Sequence, residues 1–130
     1  MAASSGPNTL HEMANSFLAL AREEAGVGYA TKDPRRVRDA AEKAWLAVMQ
    51  ATDAAMERHG RIPETGPGAH GARQDFLEEV GRADLANQLR VFADLLHGRY
   101  FYVGDVPGAD RMRIALDEAA DFLRRVSQEI

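Results

Sequence analysis

The chain has 130 residues, 45% of them apolar and 28% charged, with a net charge of -4 and no cysteine. That length and balance fit one compact domain. The lack of cysteine excludes disulfides, thiolate nucleophiles and zinc-thiolate sites, and the acidic excess argues against non-specific attraction to phosphate.

The start, MAASSGPNT, has neither the basic nor the apolar region of a signal peptide, and no run reaches the roughly 18 to 20 apolar residues of a membrane span. A cytoplasmic protein without a membrane partner is expected. Residues 1–8 are small and polar and read as a disordered leader, ahead of a single helical domain over 9–130.

The first helix is expected to open on a capping box, Thr9 with Glu12, and to end at Gly26. Leu10, Met13, Ala14, Phe17 and Ala21 recur at helical spacing within it. GVGYATKD reads as the connection, and Asp33-Pro34 as the N-cap and first residue of a second helix reaching His59. That helix carries Val37, Ala41, Ala44, Val48, Ala51 and Ala55 on one stripe. Side chains this small let neighbouring helices approach closely, so it reads as the central helix, with Trp45 in its core or an interface.

Residues 60–72 hold two prolines and four glycines and read as a long loop. A short helical piece, Arg73 to Val80, ends near Gly81. Asp84 is expected to cap the third long helix, with Leu85, Leu89, Phe92, Leu96 and Val103 facing inward. GDVPGAD turns the chain into a last helix, Ala109 to Glu129, with Met112, Leu116, Ala119, Leu123 and Val126 inward. No segment alternates like a strand. The fold expected is all-α, an antiparallel up-and-down four-helix bundle with a short extra helix between helices two and three.

The chemistry-bearing stretch is RVFADLLHGRYFY, Arg90 to Tyr102. Seven residues turn an α-helix by about 700°, so Arg90 and His97 would share a face two turns apart, well away from the apolar stripe. Asp94 lies between them and supplies a bland account, an Arg90–Asp94 surface ion pair with His97 nearby. With so many arginines in the chain, chance also supplies such a spacing. His11, His59 and His70 lack the partners of a metal site, so neither a metal nor a cofactor is expected. The serines have no histidine partner placed by sequence. Arg35, Arg36 and Arg38, with Arg111 and Arg113, form basic patches or a mixed-charge solvated surface.

Taken together, AAEKAWLAVMQATDAAMERHG (Ala40 to Gly60), the His70 loop and LLHGRYFY (Leu95 to Tyr102) resemble the PaREP-type small helical proteins, usually grouped with the HEPN superfamily. The resemblance covers about residues 10–127. Its most specific parts are Glu42 to Trp45 and the Leu96-His97 pair followed by aromatics. It implies a bundle that forms a homodimer. In catalytic members of the superfamily it implies a metal-independent ribonuclease using an arginine and a histidine with four to six residues between them. Arg90 and His97 match at the longest spacing. His97 would act on the ribose 2′-hydroxyl, Arg90 would stabilise phosphate charge, and Phe101 would stack a base. Val91 and the Arg99 and Tyr102 of LHGRYFY depart from the polar and acidic residues common there.

The resulting expectation is a dimeric module binding a nucleotide, an RNA or a protein partner through Phe101, Asp94, Arg99 and His70. The alternatives are an endoribonuclease using Arg90 and His97, or a purely structural interaction protein.

Overall fold

The computed structural model of the chain describes residues 7–130. Of these, 82% are helical and none lies in a strand, so the fold is all-α. Most of the expected leader, residues 1–6, lies outside the described residues.

Helix α1 spans Pro7–Ala30. It starts before Thr9, which sits inside the first turns rather than at a cap, and it passes through Gly26 without stopping. The glycine that matters is Gly28. A Cβ there would stand 2.8 Å from Val37 Cγ2, so the missing side chain lets the end of α1 lie against the start of α2. The connection shrinks to residues 31–33, with Lys32 at φ +54° and the Asp33 N–H closing onto Gly28 O at 2.8 Å.

Helix α2, Pro34–Arg58, begins as the sequence predicts. Asp33 Oδ1 accepts from the Arg35 N–H at 3.1 Å, and Pro34 takes the first position. The whole alanine stripe is buried, along with Ala40, Ala47 and Ala54, and Trp45 is core. Small residues around this much of α2 let helices pack on several sides of it.

Helix α3 spans Ala69–Glu79, four residues earlier than expected, so His70 lies in its first turn and not in a loop. Helix α4, Ala83–Phe92, has Arg82 at its N-cap. Asp84 is therefore one residue inside the helix, where it accepts two bonds from the Arg82 guanidinium at 3.0 Å. The chain then runs without a break into a π-helical segment, Ala93–Val103. Hydrogen bonds there reach five residues back, so each residue rotates less than in an α-helix. Gly104, at φ +83°, ends the segment, and Asp105 N–H bonds to Arg99 O. Arg38 donates from Nε and Nη2 to Phe101 O at 3.0 and 2.8 Å, placing a cation on the segment's free carbonyls. Val103, expected inward, is exposed because the π register carries it off the stripe.

Helix α5 spans Ala109–Glu129, and its five expected inward residues are all buried. Polar contacts fix how it lies. Tyr29 donates to Pro107 O at 2.6 Å, joining the end of α1 to the approach to α5. Arg58 donates to Val126 O at 2.9 Å, joining the ends of α2 and α5. Arg125 pairs with Asp84 at 2.6 Å, joining the end of α5 to the start of α4. Among the described residues no helix is long and apolar enough to cross a membrane.

Candidate functional site

Glu42, Trp45 and Asp53 all come from α2, and the histidines are brought to them by two other elements. His97, on the π segment, donates from Nδ1 to Glu42 Oε1 at 2.8 Å. An ionised carboxylate only accepts, so this bond puts the proton on Nδ1 and leaves the Nε2 lone pair uncommitted. The ring lies 6.1 Å from Trp45, is stacked 6.1 Å from Phe101, and stands 6.2 Å from Tyr102.

His70 reaches the other side of Trp45, with ring centroids 5.3 Å apart. Arg73 donates from Nη1 to His70 Nδ1 at 3.3 Å. A guanidinium has no acceptor, so Nδ1 here carries the lone pair and Nε2 the proton. Burial, then the charges of Arg73 and His97, push the His70 imidazole below its ordinary pKa, with Asp53 opposing. The two imidazoles are thus held in opposite tautomers, one offering an acceptor and the other a donor. Arg73 is itself fixed by Asp53 through two parallel bonds of 2.8 and 3.0 Å.

The structure brings His97 and His70 against one tryptophan, with Phe101 stacked on His97. It does not bring Arg90 or Asp94 there. Arg90 is exposed and donates to Asn87 Oδ1 at 2.8 Å, so the expected pair with Asp94 does not form. The π register turns His97 toward α2, away from the face that an unbroken α-helix would have shared with Arg90. Arg99 is exposed and pairs with Asp105 at 2.8 Å. Arg38, grouped by sequence in a basic patch, is the structural cap on Phe101 O.

Sequence reasoning missed Arg73 and Asp53 altogether, and it met Glu42 only as part of the EKAW stretch. Glu42 and Trp45 stand three apart on α2, a spacing that places them side by side. Nothing local points from Glu42 to a histidine 55 positions later. Among the described residues no group of three or more His, Asp or Glu side chains is placed to hold a metal ion. No family model matches the chain, and neither a curated protein nor a solved structure matches it.

Proposed function

We propose that α1, α2, α4 with its π segment, and α5 make an antiparallel up-and-down bundle of HEPN type, and that the chain works as a cytoplasmic homodimer binding RNA or a nucleotide. The observation that carries this reading is the part-exposed His97, locked by Glu42 and stacked on Phe101. A fixed imidazole beside aromatic rings offers an unstacked base both a ring face and a hydrogen-bond acceptor. With a net charge of -4, stacking rather than counter-ion release supplies the affinity. The test is fluorescence anisotropy with a labelled single-stranded RNA, alongside light scattering for mass. Binding by the wild type that is lost in His97→Ala and Phe101→Ala, from a species of twice the chain mass, is the expected result. Equal binding by all three proteins removes the reading.

A second reading, a metal-independent endoribonuclease, is favoured by the direction of the Glu42–His97 bond. His97 Nε2 is left free to take the 2′-hydroxyl proton as the 2′-oxygen bonds to phosphorus and the 5′-oxygen leaves, taking its proton from water. Wild type, His97→Ala and Glu42→Gln are compared on RNA in the presence of a chelator. Cleavage by the wild type that falls sharply in both variants supports this chemistry. Equal cleavage in His97→Ala sinks it, and no cleavage by the wild type leaves binding alone.

A further inference from the structure

The π segment has a second working side, turned away from His97 and toward α5. The geometry points to a binding groove there for an organic monocarboxylate with an apolar body. Val91, Phe92, Leu95, Ile114 and Ala115 wall a groove of about 340 Å³. It is continuous, through the shared Leu95, Tyr100 and Arg111, with a more polar space of about 410 Å³ that reaches Arg99, Asp105 and Gly108. Each part is within the usual range for small-ligand sites.

Three observations give the polar end a sign. Arg111 makes no ion pair or hydrogen bond among the described residues, whereas Arg99 is balanced by Asp105 and Arg113 by Asp110 and Asp117. One positive charge is therefore left over. Tyr100 is only 7% exposed, it lines both parts of the groove, and its hydroxyl makes no hydrogen bond among the described residues. The first turn of α5 carries no side-chain cap, since Gly108 stands at its N-cap.

A planar guanidinium and one hydroxyl match the two oxygens of a carboxylate, and one surplus charge matches a monoanion. At the other end stands Glu118, seven residues after Arg111 and so about 10 Å further along α5. It repels a second anionic group, so what extends along Val91, Leu95 and Ile114 is apolar.

The test is a titration of the full chain, followed by amide NMR shifts, with sodium octanoate, octan-1-ol and octyl phosphate as probes. Octanoate is expected to shift the amides of Leu95, Tyr100 and Ile114. Its affinity should fall roughly tenfold in Arg111→Gln and by a smaller factor in Tyr100→Phe, with partial recovery in Arg111→Lys. Octan-1-ol should bind more weakly and equally to wild type and Arg111→Gln. Arg111 is exposed, so its variants keep the fold, and unchanged helical circular dichroism checks this. The assignment is overturned by octanoate binding that ignores Arg111→Gln, by shifts confined elsewhere, by no shifts at all, or by octyl phosphate binding more tightly than octanoate.

Discussion

Glu42 and Asp53 are carboxylates on one face of α2, eleven residues and about three turns apart, and each holds a basic side chain from another element. Asp53 meets Arg73 through two bonds, with both side chains nearly sealed, at 13% and 10% exposure. Glu42 meets His97 through one bond, with 24% and 39% of the side chains open. The first pair is buried and joined by two parallel bonds, so it acts as a clamp between α2 and α3. The second is partly open and keeps one imidazole nitrogen free. The carboxylate is not what separates structure from site. Burial and a free acceptor nitrogen do so.

The largest expected effect falls on the sealed pair. Asp53→Ala leaves a buried guanidinium without its partner and should cost about 3 to 5 kcal/mol, read from urea unfolding. Adding Arg73→Met should recover much of that, because the desolvated charge is then gone. A loss below about 1 kcal/mol for Asp53→Ala would make the two carboxylates equivalent and end the distinction. Glu42→Gln should cost no more than about 1 kcal/mol by the same measurement, because the pair it breaks is partly solvated. The distinction then requires RNA binding or cleavage to respond far more strongly than stability does.

Smaller again is a pH effect from His70, which lies between the two pairs. Its folded pKa is depressed, so below about 6.5 the unfolded chain binds protons that the folded protein refuses. Stability contributed here is present above about 6.5 and declines as pH falls toward the folded value. Thermal melts between neutral and mildly acidic pH should show a component of the decline that is missing from His70→Gln.

How much of this was legible depended on the range of the signal. The starts of α2 and α5 were readable because Asp33-Pro34 and Gly108 act on their immediate neighbours. The end of α1 was not. Gly26 looked like a stop, but the helix continues because packing against Val37, a tertiary contact, decides where a glycine is needed. The site failed for a similar reason. An α-helical wheel put Arg90 and His97 on one face, while the hydrogen bonds from Ala93 onward reach five residues back and turn His97 to Glu42. Phe101 beside His97 was legible because the two are four apart within one segment. The Asp53–Arg73 clamp spans a loop and left no local trace.

The three-residue turn between α1 and α2 also sets an order of assembly. Gly28 and Val37 meet after closing a very short stretch of chain, whereas Glu42 must wait for His97 and Arg38 for Phe101, which lie 55 and 63 positions away. Loop closure is cheap for the first and dear for the others. On loop length the hairpin is expected to form before the His97 surface closes. Native-state hydrogen exchange should find the amides of the π segment opening at lower free energy than those of Ala44 and Val48. On this timetable the chain completes its site only after the helix that carries Glu42 and Trp45 is already in place.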